Sequence, residues 1–248
     1  MSTPRPDHVL VVTGAGSGIG RAVAGALATR SETLVLVGRR RSALVETVSG
    51  LDVAASPPLL VDADLSIPEG AARLAEAVGG RAVAGVALVA GGVPTTSGGT
   101  GLNGVRESWG ASWRSNVLTA VLTVEALRHR LTDGSAIVAL GSIAGTRGGG
   151  SYGAAKAALT PWVRDLARAL GPRGITANVV APGYTEQTEF FGDSMTPGRR
   201  ERLLAETFTG RAGRPEDVAG LVAHLLSPAG RHLSGQVLHV NGGALLAG

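Results

Sequence analysis

The segment VLVVTGAGSGIGRAVAGAL, residues 9–27, constrains this chain more than any other. A β-branched apolar run gives way to glycines at 14, 16, 18 and 20, then to an amphipathic helical pattern. A strand must therefore turn sharply into a helix. Gly14, Gly18 and Gly20 keep the spacing G-x-x-x-G-x-G, with Gly16 added between them. Glycine permits both the turn and the close approach of a ligand, and the helix N-terminus supplies free N–H groups and positive dipole. A pyrophosphate suits that cradle. Gly14, Ser17, Gly18, Ile19 and Gly20 are accordingly the candidate contacts of a dinucleotide.

The same alternation continues along the chain. Short Val/Leu/Ala runs predict strands at 8–13, 34–38, 58–62, 85–90, 135–141, 175–181 and 235–240. Between them, helical periodicity covers 18–30, 41–49, 68–79, 105–130, 151–170 and 215–226. This is the pattern of βαβ units, hence an α/β chain with a parallel sheet covered on both faces. No linker, repeat or charge block divides it, so one dinucleotide-binding and catalytic domain is expected over 1–248. Segment 183–210 fits no strand and reads as an inserted loop with a short helix, a candidate lid.

Composition removes several classes. There is no cysteine, so disulfides and thiolate metal sites are excluded, and the five histidines show no ligand spacing. The net charge of +4 is spread over scattered arginines, without the basic stripe or aromatic platform of a nucleic-acid binder. The apolar runs are too short and glycine-rich to span a bilayer, and MSTPRPDH lacks a signal-peptide core; a soluble cytoplasmic protein is expected.

Which dinucleotide depends on the end of the second strand. There the sequence reads Gly38-Arg39-Arg40-Arg41, with no carboxylate to meet a ribose 2′-hydroxyl. Guanidiniums grip a 2′-phosphate, which favours NADP(H) over NAD(H). At the end of the third strand, Asp64 and Leu65 are placed to meet an adenine edge, with Asp62 as competitor and a Ser66 helix cap as the plain alternative.

Lys156 is the only lysine among 23 basic residues, and Tyr152, one of two tyrosines, stands four positions before it. Residues four apart share a helix face. An ammonium beside a phenol favours the phenolate and draws its pKa toward the working range. A compact ammonium on a flexible stem also does what a planar guanidinium does not. Ser142, at the end of the fifth strand, is placed to hold a carbonyl oxygen beside Tyr152; a turn serine is the plain alternative. Asn116 lies in an apolar helical segment, where asparagine either bonds locally, faces solvent or serves a buried polar network.

Taken together, TGAGSGIG, Asn116, Ser142, YGAAK, APG at 181–183 and SGQVLHVNGG resemble the short-chain dehydrogenase/reductase family along nearly the whole chain. The resemblance implies a Rossmann-type doubly wound sheet of about seven strands. It implies Tyr152 as general acid/base, Lys156 lowering its pKa and holding the nicotinamide ribose, Ser142 orienting substrate, and Asn116 supporting a proton-relay water. It also implies cofactor contacts from Gly91, Pro182, Gly183, Thr185 and Thr188, a small carbonyl or alcohol substrate, and a homotetramer or dimer. A catalytically silent NADP(H) sensor on the same fold is the alternative function. Three departures stand out. The family's NNAG is VAGG at 89–92, the Ser142–Tyr152 interval is short, and one extra residue separates Gly183 from Thr188. Tyr184, Phe190, Phe191, Met195 and Phe208 are candidates to line an apolar pocket or to pack on their own domain. Arg199, Arg200 and Arg202 read as a solvated face, or as a docking surface for an acidic carrier.

Overall fold

A computed structural model of the chain describes residues 7–52, 56–94, 99–190 and 195–246. Seven strands form one sheet: β1 (His8–Thr13), β2 (Thr33–Gly38), β3 (Leu59–Asp62), β4 (Ala82–Leu88), β5 (Leu131–Leu140), β6 (Thr176–Pro182) and β7 (Val237–Val240). Their spatial order is β3-β2-β1-β4-β5-β6-β7 and every pairing is parallel. The chain winds outward from β1 in one direction and from β4 in the other. The carboxyl ends of β1 and β4 thus flank the crevice where such sheets bind ligands.

Both faces of the sheet are covered, which explains why the strands read as continuous apolar runs. Val9 and Val11 point into one core, shared with Leu74 and Val78 of α3 (Pro68–Val78), Val124 and Leu127 of α5 (Thr119–Leu127), and Leu159, Val163 and Leu166 of α7 (Gly150–Leu170). Leu10 and Val12 point into the other. They meet Val23 and Leu27 of α1 (Gly18–Leu27), Leu44 of α2 (Arg41–Ser49), and Val218, Val222 and Leu225 of α9 (Pro215–Leu225). The alternation follows from the two-residue period of a strand.

Three expectations are corrected. β4 begins at Ala82 and β5 at Leu131, earlier than the sequence predicts. The register between them jumps from Val83 opposite Leu131 to Gly85 opposite Ala136, so the polar stretch Thr132–Ser135 is a bulge that breaks the apolar pattern. The helix expected over 105–130 is α4 (Gly101–Trp113), a π turn (Arg114–Leu118) and α5. A short α6 (Ala144–Arg147), too brief for periodicity to show, precedes α7. Segment 183–210 carries α8 (Pro197–Ala205), as expected, capped by the Thr196 hydroxyl accepting from the Arg199 amide. Among the described residues, no helix is long and apolar enough to cross a membrane, and no three His, Asp or Glu cluster as metal ligands.

Candidate active site

Gly14 (φ +67°) and Gly18 (φ +48°) take left-handed conformations that let β1 turn into α1. A Cβ on Gly20 would overlap the Gly14 carbonyl oxygen, so the third glycine is there to let the helix lie against the turn. Ser17 occupies the N-cap of α1 without a side-chain cap bond, and the first turn holds no acidic residue. Its amides therefore remain available to an anion, as a pyrophosphate cradle requires. Two residues that sequence reasoning missed brace the turn from behind. Arg21 donates from Nη2 to the Gly16 carbonyl (2.8 Å) and from Nη1 to Glu46 (2.8 Å). The buried Thr47 hydroxyl donates toward the Ala15 carbonyl at 2.9 Å. Arg21 directly follows the glycine spacing, whereas Thr47 lies 32 residues from Ala15 and nothing near it in sequence signals the role.

Gly38, Arg39 and Arg40 line the cleft at the end of β2. The three arginines are not equivalent. Arg41 pairs with Asp62 (3.3 Å), which also accepts from Arg73 (3.1 Å). Asp62, the competitor for the adenine edge, is thus engaged away from the cleft. Arg40 pairs with Glu189 (3.0 Å). Arg39 feels the field of Asp64 but forms no ion pair among the described residues. Asp64 and buried Leu65 both line the cleft. The Ser66 cap is not formed: the Asp64 carboxylate instead accepts from the Ser66 amide (2.9 Å) and hydroxyl (2.7 Å). Those bonds hold Asp64 below the usual carboxylate range.

The VAGG segment, which lacks both asparagines, is held from two sides. The Thr13 hydroxyl accepts from the amides of Val89 and Ala90, each at 3.0 Å, joining β1 to the segment after β4. Asn116, 1% exposed, lies in the π turn and serves a buried polar network, one of the alternatives its position allowed. Its amide nitrogen donates to the Gly92 carbonyl (2.8 Å) while its oxygen accepts from the Gly92 N–H (2.9 Å). The same nitrogen lies 3.0 Å from the Ser112 carbonyl and 3.0 Å from the Ser115 hydroxyl. Extra backbone in the π turn makes room for this side chain. Gly91 (φ +153°) completes the fit, since a Cβ there would stand 2.6 Å from Asn116 Oδ1 and 3.2 Å from Lys156 Nζ.

Tyr152 occupies the first turn of α7, where the helix dipole favours negative charge, and Lys156 follows one turn later. The Lys156 ammonium stands 5.9 Å from the Tyr152 ring centroid and donates to the Leu140 carbonyl at 2.7 Å. Ser142, after β5, lines the cleft with Tyr152, acts to lower the phenol pKa, and accepts from the Ala144 amide at 3.2 Å. The expected lowering of the phenol pKa by Lys156 is not found, and burial dominates both groups. Desolvation pushes Tyr152 up to about 12, Ser142 opposing, and pulls Lys156 down to about 8. Beyond the tyrosine, the hydroxyls of Ser112 and Ser151 lie 2.9 Å apart and Ser108 lies 3.4 Å from Ser151.

The segment after β6 crosses this cleft. Gly183 donates to the Val240 carbonyl (3.0 Å) and packs so closely on Asn241 that a Cβ would stand 2.8 Å from that side chain. Thr185 is buried in a single parallel bridge to Gly213. Gln187 takes φ +60°, the one left-handed non-glycine among the described residues, beside the extra position in this segment. The next residue, Thr188, then lies over the glycine turn: a Cβ on Gly18 would be 3.3 Å from its methyl group. Phe190 packs on Tyr152, with ring centroids 5.2 Å apart at 59°. Tyr184 is buried and also lines the cleft, whereas Phe208 is 78% exposed and does not. Phe191 lies outside the described residues. Of the α8 arginines, Arg199 lines the cleft, Arg200 pairs with Glu186 (3.1 Å) and Arg202 bonds the Gly198 carbonyl.

One cleft of about 1420 Å³ collects the glycine turn, Arg39, Arg40, Asp64, Leu65, Gly91, Ser142, Tyr152, Pro182, Gly183, Thr185 and Thr188. Lys156 and Asn116 lie buried behind it. A seven-stranded parallel sheet with a glycine cradle at its switch point and a Tyr–Lys pair on the facing helix defines a class of nicotinamide-dependent oxidoreductase fold. A family model described as enoyl-(acyl carrier protein) reductase matches residues 14–244. The chain belongs to the short-chain dehydrogenase/reductase family of oxidoreductases. It is 30% identical to a 3-oxoacyl-(acyl-carrier-protein) reductase of Vibrio cholerae, over 95% of this chain and 96% of that one. Among solved structures, a short-chain dehydrogenase of Burkholderia cenocepacia in complex with NADP superposes with a TM-score of 0.83 at 28% identity, covering 98% and 99% of the chains. A 7α-hydroxysteroid dehydrogenase complexed with NADH and 7-oxo glycochenodeoxycholic acid superposes with a TM-score of 0.85 at 26% identity, covering 96% and 94%. The relatives differ in both cofactor and substrate.

Proposed function

We propose that the protein interconverts a carbonyl and an alcohol with NADP(H), Tyr152 acting as general acid and base. The observation that carries this reading is the placement of Tyr152 and Lys156 one turn apart on α7, with Tyr152 and Ser142 both lining the cleft that contains the glycine turn and Lys156 buried behind it. The cradle fits a dinucleotide: left-handed glycines, uncapped α1 amides and an approach that side chains would block. Arg39 and Arg40, with no carboxylate beside them on β2, suit a 2′-phosphate. When bound, NADPH supplies a hydride to the carbonyl carbon. Ser142 donates a hydrogen bond to the substrate oxygen, and Tyr152 gives that oxygen its proton, leaving an alcohol and a phenolate. The phenolate forms at the N-terminus of α7 and beside Lys156, which both stabilise it. Asn116 holds Gly92 and the π turn, fixing the wall on which Lys156 rests. Phe190 covers the phenol and excludes water.

Tyr152→Phe tests the assignment. It should cut NADPH oxidation with screened aldehydes and ketones by about 10²-fold or more, while nicotinamide fluorescence still reports NADPH binding. Substantial residual turnover would remove Tyr152 from the mechanism. Binding of neither NADPH nor NADH by the wild-type protein would leave the cleft without its cofactor.

A further inference from the structure

Arg40 reaches across the cleft. Its Nη2 lies 3.0 Å and 3.3 Å from the two oxygens of Glu189, 149 residues away in the segment after β6. Glu189 sits between Thr188, which packs over Gly18, and Phe190, which packs on Tyr152. The same carboxylate therefore belongs to a short stretch touching both the glycine turn and the phenol. We propose that Glu189 competes with the cofactor's 2′-phosphate for Arg40, so that a phosphorylated dinucleotide releases the 185–190 segment and a 2′-hydroxyl one leaves it held. This rests on the reading of Arg39 and Arg40 as the 2′-phosphate site.

The chemistry follows from what the guanidinium is doing. A phosphate carries more charge than a carboxylate and accepts from the same fork, so it is the stronger partner for Arg40. Once Arg40 turns to it, Glu189 faces a dianion with no cation between them and must swing away. Arg39 has no ion pair to give up among the described residues and can receive the phosphate without this exchange. Arg41 is committed to Asp62. Glu189 is thus a specificity-determining residue that acts against NADP(H) through Arg40 and not against NAD(H).

The test is a titration of the full chain with NADPH and NADH in the wild type, Glu189→Gln, Arg40→Gln and the double variant. Glu189→Gln should tighten NADPH about threefold, the scale of an exposed ion pair, and leave NADH unchanged. In the Arg40→Gln background the gain should vanish. A gain of equal size there would overturn the competition, because Glu189 would then repel the phosphate directly; no gain in either background would overturn it as well. Arg39→Asp separates the two readings. If it weakens NADPH relative to NADH while Glu189→Gln changes nothing, the competition alone fails; if it leaves the preference untouched, the phosphate site itself is wrong. Hydrogen exchange supplies a second readout. Amides 185–190 should exchange faster with saturating 2′,5′-ADP than with 5′-AMP, and equal exchange would overturn the release.

Discussion

The glycine turn at 14–20 and the segment at 183–190 meet in one cleft but are held there in different ways. The turn is backbone against backbone: left-handed glycines, a helix resting on the Gly14 carbonyl, and Arg21 and Thr47 behind it. The segment begins on backbone bonds, Gly183 to Val240 and Tyr184 and Glu186 to Gly213, but its outer part is tied by side chains, with ion pairs Arg40–Glu189 and Arg200–Glu186 and the tilted stack of Phe190 on Tyr152. Beyond it, Arg147–Glu206 joins α6 to the residue after α8. Steric constraint tolerates no rearrangement, whereas exposed ion pairs are worth little each and exchange easily. The glycine turn is built from the first kind of contact, and the outer part of the segment opposite, residues 186–190, from the second.

Gly20→Ala attacks the comparison at its strongest point. The new methyl would overlap backbone atoms of Gly14, which no rotamer change relieves. We expect a loss of about 4 kcal/mol or more in chemical unfolding, with dinucleotide binding abolished in whatever fraction still folds. A loss below about 1 kcal/mol would show that the turn is no more rigid than the segment opposite.

That contrast also governs what the sequence could show. The turn was legible because its constraint is local: glycine spacing, strand before, helix after. Tyr152 and Lys156 were legible because a four-residue interval on a helix is also local. Thr13 and Thr47 were not, because their partners lie at Val89, Ala90 and Ala15, joined only through the fold. The Arg40–Glu189 pair escaped for the same reason. The π turn at Asn116 escaped because one extra residue of helix leaves the apolar period almost unchanged, and β5 began early because its bulge replaces apolar residues with Thr132–Ser135.

α7 carries buried charge between these two regions, and pH reads it. Burial pulls Lys156 from 10.5 to about 8, so between pH 8 and 10.5 the unfolded chain holds more protons than the folded one. Stability of the cofactor-free protein should therefore rise across that window, by on the order of 3 kcal/mol at most. Tyr152, raised from 10.0 to about 12, acts oppositely: above pH 10 the folded state keeps a proton that the unfolded state loses, and stability falls. The two place a maximum near pH 10, measurable by urea unfolding in a pH series. Lys156→Met should flatten the rising limb. A rise that survives this substitution would assign it to other groups and leave Lys156 unburdened by its burial.

The weakest effect belongs to the pair that joins α6 to the end of α8. Arg147 and Glu206 keep about a third of their side-chain surface in water, at 33% and 38%. Arg147→Gln should therefore destabilise by about 1 kcal/mol or less, and raising salt should shrink even that difference. Because the run Gly148–Gly150 beside Arg147 has positive φ throughout, the backbone there can shift without straining a side chain. The functional reading should move more than stability: KM for a bulky ketone should change while the KM for NADPH holds. A loss above about 2 kcal/mol, outside the range of an exposed pair, would mean that the exposed ion pairs are as structural as the glycine turn. The division between a rigid turn and an exchangeable side opposite it would then not hold.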